Sequence, residues 1–176
     1  MINGAFGVGK TSVANEIVKK IERSIIYDPE EIGFYLRHNI PSNVMSEDEK
    51  TGDFQDFRIW KNLVVGVAEE IKKQYNCNLV VPMTIRKFEY FQYILRGFKN
   101  IDKDTHHFCL TASVETIHKR LTDRGDLVGS WAFQQTEKCL DAFTTNDYKY
   151  YINTENNEID DVVEIILEMI RNYTTA

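Results

Sequence analysis

The stretch GAFGVGKT, Gly4 to Thr11, decides how this chain is read, because it fits the G-x-x-x-x-G-K-T spacing of a phosphate-binding loop. A polyphosphate brings several negative charges that must lose water together. The least costly cradle for them is a run of backbone N–H groups that no side chain obstructs. Gly4, Gly7 and Gly9 permit that close approach. Lys10 then reaches toward the β- and γ-phosphates, Thr11 offers its hydroxyl to Mg²⁺, and the helix beginning there aims the positive end of its dipole at the anion. The plain alternative is a glycine-rich turn that happens to precede a helix, and a full match of the spacing makes it the weaker of the two.

Such a loop has meaning only between a buried strand and a helix. The helix is legible: Val13, Ala14, Ile17, Val18 and Ile21 recur at helical spacing and leave Asn15, Glu16, Lys19 and Lys20 for solvent. The strand is short, since only Met1, Ile2 and Asn3 precede Gly4, against the roughly five residues of a typical strand. Either the first strand is a stub or the chain has lost its beginning.

Farther out, the composition sets bounds. A chain of 176 residues, 43% of them hydrophobic, can bury one good core and is too short for two typical domains, so residues 1–176 read as one domain. A formal net charge of −6 provides no basic field for a nucleic-acid backbone. Cys77, Cys109 and Cys139 are odd in number and lack metal-ligand spacing, which suits reduced thiols and a cytoplasmic location. With no secretory leader and no apolar run near ~18 residues, a soluble, unprocessed protein without a transmembrane segment is expected.

After the first helix, Ser24 to Tyr27 predicts a strand, and DPEE opens a second helix, with Asp28 able to cap and Pro29 preorganised for the first turn. That helix runs from Glu30 to Ile40. Ser42 to Asp53 is polar, aperiodic and loop-like. Helical spacing returns from Phe57 to about Tyr75, then a strand over Asn78 to Met83, a helix marked by Phe88, Phe91, Leu95 and Phe98, and a strand over His107 to Thr111. Ser113 can cap the next helix, which leads into the charged, glycine-punctuated stretch KRLTDRGDLVGS, residues 119–130, read as a lid. A helix from Trp131 to Phe143, a strand from Tyr150 to Thr154 and a helix striped by Ile159, Val162, Val163, Ile166, Met169 and Ile170 complete the chain. Five strand–helix alternations predict an α/β fold with a parallel sheet covered on both faces, and its ligands at the carboxyl ends of the strands.

Along that rim, Asp28 is the carboxylate at a predicted strand end. It can serve as catalytic base or near Mg²⁺, or simply cap its helix with the same oxygens. Arg120 and Arg124 lie one helical turn apart before the lid glycine, placed either to neutralise charge on a transferred phosphoryl group or to form a solvated basic face. His106 and His107 are adjacent on a strand, point to opposite faces, and lack the further ligands of a zinc site. The part of the rim that ATP leaves free is the segment of about residues 30–60. There Phe34 and Trp60 offer stacking faces and Arg37 a polar anchor, so these three are the candidate acceptor-binding residues, although Trp60 also suits the core.

GAFGVGKT, YDPEEIGFYLR, LVVPMT, EYF, HHF, TASVET, KRL and GSWAFQQTEKC together resemble the bacterial tunicamycin-resistance ATP-binding proteins. The resemblance spans nearly the whole chain. It implies a three-layer P-loop NTPase fold like that of nucleoside-monophosphate kinases, with a five-stranded parallel sheet in the order 2-3-1-4-5. It implies ATP held by Gly4, Ala5, Phe6, Gly7, Val8, Gly9, Lys10, Thr11 and Ser12, with Mg²⁺ at Thr11 and Asp28. It also implies a lid over about residues 120–131 that Arg120 and Arg124 begin, and Lys10, Asp28, Arg120 and Arg124 as the catalytic set. The expected activity is transfer of phosphate from ATP to a small hydroxyl-bearing acceptor such as a nucleoside-like antibiotic. The alternative is an ATP-dependent protein that sequesters the antibiotic without modifying it.

Overall fold

The computed structural model of the chain describes residues 1–174. In chain order the elements are β1 (Ile2–Gly4), α1 (Lys10–Lys20), β2 (Ser24–Ile26), α2 (Pro29–Asn39), α3 (Arg58–Tyr75), β3 (Asn78–Val80), β4 (Pro82–Met83), α4 (Phe88–Ile101), β5 (Phe108–Thr111), α5 (Val114–Asp123), α6 (Trp131–Thr145), β6 (Tyr151–Asn153) and α7 (Ile159–Thr174). Every strand pair is parallel, as the alternation of strands and helices predicts.

The sheet departs from the expected five strands. A four-stranded sheet runs β4-β1-β5-β6, and β2 pairs with β3 in a separate two-stranded sheet. The strand expected over Asn78 to Met83 is divided at Val81, and the cause is Pro82. Asn78 donates its N–H to the Arg23 carbonyl, and the Val80 carbonyl accepts from Tyr27 N–H. By the alternation of a parallel ladder the next donor toward β2 would be residue 82, and proline has none. From there the strand pairs only on its other side, where Ile2 N–H donates to the Val81 carbonyl at 2.8 Å.

Both faces of the main sheet are covered. Phe108 and Leu110 pack with Val13, Ala14 and Ile17 of α1 and with Val162, Val163 and Ile166 of α7, while Cys109 between them faces the opposite core of Trp60, Val64, Phe91, Ile94, Ile117, Leu121 and Phe143. At β3 too the faces divide between the two cores, Val80 with the first and Leu79 and Val81 with the second, which explains why LVV carries no polar alternation.

The tract between α2 and α3 is more ordered in form than its composition suggests. Ser46 and Glu49 close a capping box around a 3₁₀ turn at Glu47–Glu49, and a second 3₁₀ turn, Phe54–Asp56, is capped by Asp53 through Gln55 N–H. Phe54 lies against α2 at Gly33, where an added Cβ would stand 2.4 Å from the Phe54 ring, so only glycine lets the two segments meet. Ser113 caps α5 through Thr116 N–H as expected.

Candidate functional site

The loop between β1 and α1 has the form its sequence predicts. Gly9 sits at φ 104°, a left-handed conformation costly for other residues, and nothing lies within 4 Å of where its Cβ would be. That open space faces the start of α1, which has no side-chain cap and no acidic residue in its first turn. Its first N–H groups therefore have no side-chain cap among the described residues, the arrangement an anion requires. Lys10 curls across the loop, its Nζ donating to the Ala5 carbonyl at 2.8 Å and lying 5.4 Å from the Phe6 ring centroid. Burial lowers the pKa of Lys10, and the nearby Glu30 carboxylate works against that shift. Thr11 and Ser12 are exposed at the helix mouth. An exposed hydroxyl beside an uncapped helix start fits an Mg²⁺ ion that arrives on phosphate and keeps most of its ligands as phosphate oxygens and water. Among the described residues no group of three or more His, Cys, Asp or Glu side chains forms a dedicated metal cage.

The loop is braced from behind. The Val8 carbonyl accepts from Thr154 Oγ1 at 3.2 Å and from Arg120 at 3.4 Å, and Arg120 also donates to Thr154 Oγ1 at 2.9 Å and to the Thr154 carbonyl at 2.6 Å. Next along, Glu155 accepts from Ser113 N–H at 2.7 Å, Ser113 Oγ at 2.6 Å and Thr116 Oγ1 at 2.5 Å. The Ser113 and Thr116 hydroxyls and the Ser113 N–H hold its pKa down to about 2. These bonds fasten the end of β6 to α5 and to the phosphate loop. Arg120 is thus engaged at the back of the loop, while Arg124 is half-exposed, ends α5 and pairs with Asp126 at 2.6 Å. Beyond it the loop after α5 presents Leu127 and Val128 to solvent, and Trp131 returns to set its ring edge-on to Phe6 at 5.0 Å.

Across the cleft, Asp28 caps α2, its Oδ1 accepting from Glu30 N–H at 2.9 Å. Glu30 is in the electrostatic reach of Lys10 and Arg124, and burial raises its carboxyl pKa against their pull. Asp53, buried, accepts both Nε (3.1 Å) and a terminal nitrogen (2.7 Å) of Arg86 on Oδ2 and holds Gln55 N–H at 2.9 Å on Oδ1. Gln55 Oε1 receives Arg86 N–H at 3.0 Å, and Lys87 pairs with Asp56. The Cys139 thiol of α6 is buried. Burial raises its pKa to about 11, and Lys10, Arg86, Asp53 and Glu30 all act on it. Gln135, buried one turn earlier on α6, shares its face.

Of the three residues expected to hold the acceptor, Phe34 and Arg37 border one surface pocket on α2, and Trp60 lies apart from it. Trp60 is wholly buried, with its indole N–H on the Pro29 carbonyl at 3.0 Å, so it braces the start of α2 and presents no face to the cleft. Its helical spacing carried both possibilities, and burial decides between them. Phe34 is half-exposed and meets Phe54 edge-on, and exposed Arg37 donates to the Gly52 carbonyl. Asp53 and Arg86, which the structure joins, were hidden in sequence by their local roles, as was Glu30. Glu30 belongs to the helix opener and Asp53 to a turn, and Arg86 follows a strand end without belonging to any motif. Thr84, the first residue past β4, holds a buried hydroxyl without a partner among the described residues. His107 is buried against Phe91 at 4.6 Å, and burial lowers its pKa to about 3.

No protein-family model and no curated protein matches the chain. Among solved structures it is similar to a tunicamycin resistance protein from Deinococcus radiodurans, at 27% identity and a TM-score of 0.75 over 96% of this chain and 92% of that one. A gluconokinase from Sinorhizobium meliloti is 14% identical, with a TM-score of 0.60 over 98% of this chain and 90% of that one. A shikimate kinase from Acinetobacter baumannii, in complex with shikimate, is 16% identical, with a TM-score of 0.59 over 98% and 92%. The likeness to the tunicamycin resistance protein agrees with the resemblance read from the motifs. The kinase likenesses establish the α/β, kinase-like P-loop fold.

Proposed function

We propose that this protein is an ATP-dependent phosphotransferase acting on a hydroxyl of a small molecule, with a nucleoside-like antibiotic such as tunicamycin as the first acceptor to test. The observation that carries this reading is buried Lys10 folded across a glycine loop at a helix N-terminus that has no side-chain cap, with half-buried Glu30 of α2 within its electrostatic reach. Lys10 and the loop backbone hold the polyphosphate and offset the charge on the γ-phosphoryl oxygens. Thr11 would hold Mg²⁺, which when bound neutralises phosphate charge, and Asp28 is the carboxylate that would share it. Glu30 accepts the proton of the acceptor hydroxyl as its oxygen bonds to the γ-phosphorus and the bond to ADP breaks. Glu30 suits this role better than Asp28, one of whose oxygens is committed to the helix cap.

The second reading, sequestration without transfer, draws support from Arg120 and Arg124, both engaged within the protein instead of free to close on a phosphoryl group. Mass spectrometry of tunicamycin after incubation with the protein and MgATP separates the two. A gain of one phosphoryl group, absent with Lys10→Ala, supports the transferase. Unchanged mass together with MgATP-dependent binding supports the sequestering protein.

A further inference from the structure

Thr84 is only 1% exposed, and its hydroxyl has no hydrogen-bond partner among the described residues. Its place beside the phosphate loop is set by the sheet. Met83 stands beside Asn3 in the parallel ladder of β4 and β1, so Thr84 is level with Gly4, where the loop begins. The Asn3 side chain locks that register: Oδ1 accepts the N–H of Gly4 at 2.9 Å and of Ile85 at 2.8 Å, and Nδ2 donates to the Ile85 carbonyl at 3.1 Å. Val81, Met83 and Ile85 all belong to the core of Trp60 and Phe91. Thr84 between them therefore projects from the other face of the sheet, as does Val80, which packs with Val13 and Ala14 of α1. α1 lies against β4, and it follows the loop back from the end of β1, so its first turn is at the carboxyl ends of these strands. The Thr84 hydroxyl is thus on the α1 face of the sheet, at the end where that helix starts without a side-chain cap.

The α1 N–H groups and the Lys10 ammonium are donors only, which suits phosphate oxygens. A Mg²⁺ ion that keeps several waters has the opposite need, because a water bound to a cation turns its hydrogens outward and requires acceptors. Among the described residues no cage of three or more acidic, His or Cys side chains supplies them. The Thr84 oxygen can accept, and its lone pairs are uncommitted. We infer that Thr84 is a further contact for the magnesium–nucleotide complex, its hydroxyl hydrogen-bonding to the hydration shell of the ion that Thr11 would hold. This rests on the nucleotide-binding reading and adds a residue to its site. An enclosed hydroxyl without a partner weakens the nucleotide-free fold, and the bound complex returns the missing hydrogen bond.

The hydroxyl can be removed from the full chain in two ways. Thr84→Val nearly keeps the shape, and Thr84→Ser with Thr84→Ala form a second pair that differs in the hydroxyl alone. Melting temperatures are taken without nucleotide, and calorimetry measures binding of the non-hydrolysable ATP analogue AMP-PNP in Mg²⁺ and in EDTA. Thr84→Val is expected to melt no lower than the parent, to bind AMP-PNP about tenfold more weakly in Mg²⁺, and to match the parent in EDTA. Thr84→Ser should bind about tenfold more tightly than Thr84→Ala in Mg²⁺. Parental affinity of Thr84→Val in Mg²⁺ overturns the inference, as does an equal loss in Mg²⁺ and in EDTA, which would assign the hydroxyl to phosphate or to the fold. A nucleotide-free melting temperature that falls with the hydroxyl in both pairs overturns it too, because the hydroxyl would then be paired without the ligand. If Thr84→Val does not fold, Thr84→Ser and Thr84→Ala decide by the same comparisons. If the parent binds too weakly in EDTA to measure, the affinities in Mg²⁺ and the melting temperatures decide. Failure of AMP-PNP to bind the parent in Mg²⁺ would sink the nucleotide reading itself, at an earlier step, and this inference with it.

Discussion

Replacing Arg120 by methionine tests whether this arginine acts as a brace or as a lid residue. The methionine keeps most of the aliphatic stem and removes the guanidinium donors, which make bonds of 2.9 and 2.6 Å to Thr154 and 3.4 Å to the Val8 carbonyl. Bonds from charged donors contribute about 1.5–3 kcal/mol each. The sum must be discounted, because Arg120 is partly exposed, the Val8 carbonyl keeps its bond from Thr154 Oγ1, and Thr154 N–H keeps the Thr111 carbonyl. A total of about 2–3 kcal/mol follows, equivalent to a fall in Tm of about 4–12 °C for a chain of this size. Thermal unfolding followed by circular dichroism in the absence of nucleotide measures it. Arg120→Lys should recover only part of the loss, since a single ammonium cannot span Thr154 and Val8 as the fork does. A methionine variant that melts within a degree of the parent, yet transfers phosphate far more slowly, would refute the brace and return Arg120 to the lid.

MgATP should raise the parental Tm in proportion to binding, by about 2.7 kcal/mol of stability at a hundredfold excess over Kd, and Lys10→Ala should abolish the rise. Equal stabilisation of both proteins would exclude the loop as the phosphate site. Glu30→Gln should keep nucleotide binding and lose transfer by about a hundredfold or more, whereas Asp28→Asn, whose amide can still cap α2, should fold normally and lose less. The opposite ranking in single-turnover assays would make Asp28 the base. His107, with its folded pKa lowered from 6.5 to about 3, is neutral in the fold but takes up a proton on unfolding below pH 6.5, so it removes stability as the pH falls from 6.5 toward 3. Glu155, lowered from 4.5 to about 2, contributes stability that is lost only between those two values. Denaturant unfolding of the parent and of His107→Phe should therefore differ in slope between pH 6 and 4, and parallel curves there would contradict the assignment.

Sequence made the phosphate loop and the fold class legible for a physical reason: both are written in short-range pattern. The loop needs glycine at fixed spacing and a helix directly after it, and GAFGVGKT followed by Val13, Ala14 and Ile17 meets both needs. Asp28 and Ser113 were legible as caps because a cap and its partner lie two or three residues apart. The division of the sheet was written at Pro82 as well. Its missing N–H matters only once it is known which side of the strand residue 82 would donate toward, and that is a question of pairing partners.

The acceptor side was less legible because its groups are defined by partners far away in the chain. Asp53 is a turn residue until Arg86, 33 positions later, is folded against it. Arg120 and Arg124 looked equivalent on one helical face, and their separate fates depend on Thr154 and Asp126, which α5 alone does not specify. Trp60 differs in kind: its spacing matched the core as well as it matched a cleft, and the Pro29 carbonyl that receives its N–H shows how it came to be buried. That bond ties α3 to the first turn of α2, the turn that carries Glu30. The aromatic expected to touch the acceptor therefore bears on the site through the helix start that positions the proposed base. Trp60→Phe, which keeps an aromatic side chain and loses the N–H with the pyrrole half of the indole, should accordingly disturb transfer through Glu30 and leave nucleotide binding at the loop as it is.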